Sequence, residues 1–203
     1  MFSAHPSSGR DGHWQHRSRP SPTNPVARWA LTAHFYMGIT PFGPTQLYLA
    51  TGGAKKNTVF LDSHGKLYRG MCGQEYSTVI LPGLLVDCAS LFTARSNSTS
   101  WKFQQDGAVQ HRTQEAISIA TAAAPHGLLE WPAISPDLSI IENIWAYMAA
   151  QLKLKPPCTS LAMLQEALEE IRATLTPEFL KPYFDSMPAR LLACIDAGGD
   201  TIW

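Results

Sequence analysis

Trp131-Pro132-Ala133-Ile134-Ser135-Pro136-Asp137-Leu138-Ser139-Ile140-Ile141-Glu142-Asn143-Ile144-Trp145 is the stretch whose reading decides the fold. Its first half is punctuated by Pro132 and Pro136 and reads as a loop. After Pro136 the texture changes: Ile141, Ile144, Trp145, Met148 and Leu152 recur at helical intervals and define one apolar stripe. Ser139 and Glu142 stand at the spacing of a capping box, in which the hydroxyl takes the third backbone N–H and the carboxylate reaches back. Asp137 has the position of a loop aspartate that satisfies nearby backbone amides ahead of a helix. Both acids therefore have structural uses that require no chemistry.

Upstream, residues 101–105 alternate Trp-Lys-Phe-Gln-Gln, a half-buried strand that ends on Asp106-Gly107. Residues 113–124 are alanine-rich and predict a helix closed by Pro125-His126-Gly127, with a brief strand over 128–131. Earlier still, residues 28–36, 45–50 and 58–62 are short apolar runs split by Gly and Pro, which predicts consecutive antiparallel strands. Residues 76–92 are too densely apolar for one solvated strand, and helical spacing fits them, with Pro82-Gly83 as a break or kink. Residues 95–100 form a polar linker. Downstream, Pro156-Pro157 stops the helix that begins after Pro136, and Thr159 or Ser160 caps the next, whose stripe is Leu161, Leu164, Leu168 and Ile171. Two shorter helices, 177–186 and 188–197, complete the chain. The order of elements predicts a mixed α/β layer fold with a helical C-terminus.

Composition is consistent with that plan. The 203 residues suffice for one ordinary domain, and 45% hydrophobic with 16% charged residues describes a globular chain. No run of about 18 apolar residues occurs, so no membrane span is expected. Residues 1–25, with four prolines and no apolar core, read as a poorly ordered tail and not as a signal peptide. Cys72, Cys88, Cys158 and Cys194 form no Cys-x-x-Cys pair, so they predict reduced, mostly buried thiols in an intracellular protein. Charge is unevenly divided: residues 1–100 carry nine Lys/Arg against four Asp/Glu, a net of +5, and residues 101–203 carry seven against twelve, a net of −5. The chain as a whole has no strong basic footprint of the kind that grips nucleic acid.

A chemical use for the acids requires convergence. A central strand presents its C-terminal end to a cleft, and a glutamate on the first turn of a helix packed on the sheet can face the same cleft. Carboxylates gathered there repel unless a divalent cation neutralises them, and an oxygen-only donor set suits Mg²⁺ or Mn²⁺ over zinc. Two such ions about 4 Å apart can activate a nucleophile and stabilise the leaving oxygen of a phosphodiester. Spacing alone leaves this open against the structural uses: Asp106 beside Gly107 also reads as a turn residue, and His111 as an ordinary packed or exposed histidine.

Phe103-Gln104-Gln105-Asp106-Gly107-Ala108-Val109-Gln110-His111 and the whole 131–145 stretch resemble the two long motifs of mariner-type (Tc/mariner) DDE transposases, roughly FQQDNAPxH and WPAxSPDLNPIENLW. Weaker similarity covers residues 26–43, 76–82 and Ser186-Met187-Pro188-Ala189-Arg190. The resemblance implies a ribonuclease-H-like catalytic domain over 26–203, three metal-binding acids, Mg²⁺ or Mn²⁺ as cofactor, DNA as partner, a homodimer, no membrane, and the nucleus as location. On it, Asp106 matches the second acid and Glu142 the third, with thirty-five residues between them. Asp137 matches a motif aspartate that is not catalytic.

The departures carry equal weight. The family's first acid lies in a strand reading about FSDES; here Phe2-Ser3-Ala4-His5 puts Ala4 at that place, and Asp62 is a poor substitute. Gly107, Val109 and Ser139-Ile140 replace the usual Asn, Pro and Asn-Pro. The family's N-terminal helix-turn-helix region has no counterpart, so the chain reads as N-terminally truncated with its first strand missing or degenerate. Three functions follow as expectations: metal-dependent DNA cleavage and strand transfer, impaired here; a non-catalytic DNA- or protein-binding remnant; and, by fold analogy alone, a nuclease of different substrate.

Overall fold

Strand β2 (His34–Tyr36) shows why the chain forms layers. Successive side chains on a strand point to opposite faces. Phe35, with Ala33 and Met37 beside the strand, therefore enters one core, while Tyr36 enters another. The computed structural model describes residues 33–50, 73–96, 100–133 and 135–202, together with the backbone pairings of Phe2–Ser3, Phe60–Leu61 and Leu67–Tyr68. Most of the expected tail, Ala4, the expected strand's residues 28–32, Asp62 and Cys72 lie outside the described residues.

β1 (Phe2–Ser3) pairs antiparallel with β2, and β2 pairs antiparallel with β5 (Tyr48–Ala50), giving the order β1-β2-β5. Between β2 and β5 a small hairpin of β3 (Ile39–Thr40) and β4 (Gly43–Pro44) turns the chain. Gly43 sits at φ +138°, a conformation that favours glycine. β6 (Phe60–Leu61) and β7 (Leu67–Tyr68) pair as a further antiparallel hairpin. The strands expected over 101–105 and 128–131 reduce to one parallel bridge, Phe103 to Leu128. Its ladder is short but bonded: Leu129 N–H donates to Phe103 O at 2.7 Å, and Phe103 N–H to Gly127 O at 3.1 Å.

The sheet lies between two helical layers. On one side pack α4 (Ile140–Lys153), α5 (Leu161–Arg172) and α6 (Pro177–Asp185), through Ile144, Trp145, Met148, Leu164, Leu168 and Leu180. On the other side is a long helix that begins as α1 (Gly73–Glu75), passes through a π turn (Tyr76–Ile80) and continues as α2 (Leu81–Ser96), with α3 (Gln114–Ala123) beside it. α7 (Met187–Asp196) closes the described chain. This is the α/β architecture with a helical C-terminus that the order of elements predicts.

Three expectations need correction. Pro82-Gly83 does not break the helix. Pro82 comes directly after the π turn, where Leu81 N–H bonds Tyr76 O, so the widened turn absorbs the ring. Gly83 serves packing: a Cβ there would lie 2.5 Å from the Tyr48 ring. Leu161 is exposed, and Ala167 takes its place in the buried stripe of α5. Of the described cysteines only Cys88 is buried, where burial chiefly and Asp87 secondarily push its thiol up to about 12; Cys158 and Cys194 are half-buried. The helical segment 73–95 is long and apolar enough to meet the length and hydropathy of a membrane span, although its Tyr76, Ile80, Leu81, Leu84, Leu85 and Cys88 are buried in the second core.

Candidate functional site

Asp106 follows directly on the bridged segment that carries Phe103, and Glu142 lies in the first turn of α4. Both line one cavity of about 240 Å³, with Gln105, His111, Ser139 and Trp145 in the same wall. The two acids come from different layers, and both line this cavity because the two cores hold their elements against the sheet.

The turn after Phe103 is knitted by short hydrogen bonds. His111 Nδ1 lies 2.6 Å from Asp106 Oδ1, and Ala108 N–H donates to the same oxygen at 3.1 Å. Both contacts fall on Oδ1, which leaves Oδ2 without a partner among the described residues. His111 comes from a 3₁₀ turn (Val109–Arg112) and is 7% exposed, its ring 4.4 Å from the Tyr76 ring. Its Nε2 has no partner among the described residues. Gln105 bridges the same parts, accepting from Tyr76 Oη at 2.8 Å and donating to His111 O at 3.0 Å. The His111 bond, supported by Ala108 N–H and opposed by partial burial, holds the Asp106 carboxyl down to about 2, so it is ionised in all but strong acid. Burial pushes the Tyr36 phenol up to about 12, and Asp106 and Glu75 add to that against the lowering bond from Gln110.

Glu142 is not engaged in a capping box. Ser139 is the N-cap, but its side chain accepts no bond; the turn closes through Glu142 N–H to Ser139 O at 3.1 Å. The expected reciprocal cap is therefore absent, and the exposed Glu142 carboxylate is free to face the cavity. Asp137 does satisfy a backbone amide, but a remote one: its Oδ2 accepts from Ile202 N–H at 2.9 Å. Sequence reading passed over His111 and Glu75 as chemistry. His111 had a signal in its five-residue offset from Asp106, whereas nothing local marks Glu75 as 8% exposed beside Tyr36.

Among the described residues no group of three His, Cys, Asp or Glu side chains could hold a metal ion. What is present is a pair of hard oxygen donors, Asp106 and Glu142, on one cavity. That donor set fits one divalent cation that keeps several waters, the manner in which Mg²⁺ is commonly held. It does not fit a fully liganded pair of ions.

No family model matches the chain. It is 36% identical over 110 residues to the Tcb1 transposase of Caenorhabditis briggsae, covering 52% of this chain and 38% of that protein. It is 32% identical over 109 residues to the Tc3 transposase of Caenorhabditis elegans, covering 50% and 31%, and 33% identical over 97 residues to the Tc1 transposase of the same worm, covering 48% and 35%. The chain is a relative of the Tc/mariner transposases. It spans under two-fifths of the length of these curated relatives. Its fold matches the Mos1 transposase catalytic domain, solved with raltegravir and Mg, with a TM-score of 0.64 and 15% identity over 85% of this chain and 78% of that one. That likeness is one of fold, a sheet packed between helices.

Proposed function

We propose that this chain is a transposase-derived, DDE-type domain that binds DNA and a divalent cation, Mg²⁺ or Mn²⁺, at Asp106 and Glu142, with its DNA-cleaving chemistry impaired. One observation carries the reading: the acids matching the second and third of the family line one cavity from two different layers. When bound, a cation there would neutralise charge on a phosphodiester and lower the pKa of a water. The protein's part is positional. His111 and Ala108 fix one oxygen of Asp106 and leave the other unbonded among the described residues. Glu142, released from capping, supplies the second oxygen donor. The donor count supports reading that chemistry as impaired: no third acid joins the pair among the described residues. A DNA substrate implies a nuclear location, which imaging of the tagged protein would test.

The test is Mn²⁺ titration by calorimetry on the wild type, Asp106→Asn and Glu142→Gln, with nicking of supercoiled plasmid measured in parallel. Saturable binding by the wild type and its loss in both variants is the expected result. Equal binding by all three would refute the site. Plasmid nicking at a rate that Asp106→Asn abolishes would overturn the impairment. A non-catalytic remnant is the second reading, favoured by the incomplete acid set. It predicts DNA binding that is indifferent to Mn²⁺.

A further inference from the structure

Helix α4 starts without the side-chain cap that its sequence promises, yet its first turn is held. The holding group comes from the far end of the chain. Arg190, on α7, donates through one terminal guanidinium nitrogen to Asp137 O at 2.7 Å and through the other to Asn143 Oδ1 at 2.7 Å. Its Nε donates to Ser186 Oγ at 3.0 Å, which fixes the guanidinium on its own helix. One planar fork thus spans the start of α4, gripping the loop two residues before Ser139 and the residue directly after Glu142. Ile202 N–H, bonded to Asp137 Oδ2 at 2.9 Å, ties the same loop a second time.

Helix electrostatics do not explain this placement, because a cation at a helix N-terminus opposes the macrodipole. Geometry does. A guanidinium offers several donors in a rigid plane, and lysine cannot bridge two acceptors in that way. Ser139 N–H, the amide a capping-box glutamate would take, is already bonded to Pro136 O at 3.1 Å, and the fork anchors the chain on both sides of it, so the Glu142 carboxylate is not needed for capping.

We propose that Arg190 is a positioning residue for Glu142, presenting its carboxylate to the cavity shared with Asp106. The role rests on the cation-site reading above. Groups that orient the ligands of a metal typically change affinity 10- to 100-fold when removed. Arg190→Ala should therefore weaken Mn²⁺ binding about 10-fold or more. Arg190→Lys, which keeps charge and loses the fork, should weaken it nearly as much, and Asn143→Ala, which removes one acceptor, by less. Hydrogen exchange at the Glu142 amide should quicken in Arg190→Ala while amides inside α5 stay unchanged. Full rescue by lysine would overturn the fork, and unchanged exchange at Glu142 would overturn the clamp. If Arg190→Ala does not fold, Arg190→Lys and Asn143→Ala carry the same comparison. A wild type that does not bind Mn²⁺ overturns the cation reading and the role built on it, and the exchange rates then still decide whether the clamp exists.

Discussion

The Asp106–His111 pair makes a claim about stability that acid can test. The carboxyl is held at about 2 in the folded chain against an ordinary 3.8, principally by the bond to His111 Nδ1. A lowered folded-state pKa means that the ionised form is favoured by folding, so the contribution is complete above pH 4 and is lost as pH falls from about 4 to about 2. The shift would convert to about 2.4 kcal/mol for a buried group at 1.36 kcal/mol per unit. The Asp106 side chain is 48% exposed, however, so solvent screening cuts this to about 1 kcal/mol. Asp106→Asn keeps the shape and an acceptor oxygen but never carries the charge. Urea unfolding of both proteins should show the variant less stable by about 1 kcal/mol at pH 6, with the gap closing between pH 4 and pH 2. Carbon-13 NMR of the Asp106 carboxyl should place its midpoint near 2. A gap that stays constant from pH 6 to pH 2, or a midpoint near 4, would show that His111 does not hold the carboxylate.

Two substitutions test the packing and capping readings. Gly83→Ala in an ordinary helix would be stabilising, but here the new methyl meets the Tyr48 ring, whose hydroxyl is tethered to Asp87 Oδ2 at 2.9 Å. It should cost about 1–3 kcal/mol in thermal or urea unfolding, and a gain in stability would refute the close approach. Ser139→Ala should change stability by only a few tenths of a kcal/mol, because its hydroxyl caps nothing, whereas Ser160→Ala, which removes a bond to Met163 N–H at 3.2 Å, should cost about 1 kcal/mol. Equal costs at the two serines would restore the capping box.

Much of the layer plan was legible because it rests on periodicity. Ile144, Trp145 and Met148 are buried as their spacing requires, and Ser160 caps the helix it precedes. The failures occur where a partner is distant in the chain. Pro82-Gly83 looks like a breaker until the π turn and the Tyr48 ring are in place. Ser139 and Glu142 have the spacing of a cap, but cap formation is a competition: Ser139 N–H is already bonded to Pro136 O, and the loop is held by Arg190 and Ile202. The candidate site was legible as two acids through long motifs. Its support was not, because His111 reads as any histidine until its ring is seen against Tyr76.

The local rule that failed at Ser139 is the one whose success would have cost the candidate site an oxygen donor. A glutamate that reaches back to the N-cap amide spends its carboxylate on the backbone. With the Ser139 amide bonded to Pro136 O and the loop anchored by a guanidinium 48 positions beyond Glu142, the helix start is fixed and the acid is left exposed on the cavity wall. Asp106 is treated in the same manner, with one oxygen bound by His111 and Ala108 and the other left over. Each acid is thus steadied by groups that do not consume all of its oxygens, as a cation site requires of its ligands. A purely structural turn and cap would tend to satisfy those oxygens internally. That difference is what separates the site reading from the capping and turn readings of the same two residues, and it is why the loss of Arg190 or His111 should be felt at the cavity before it is felt in the fold.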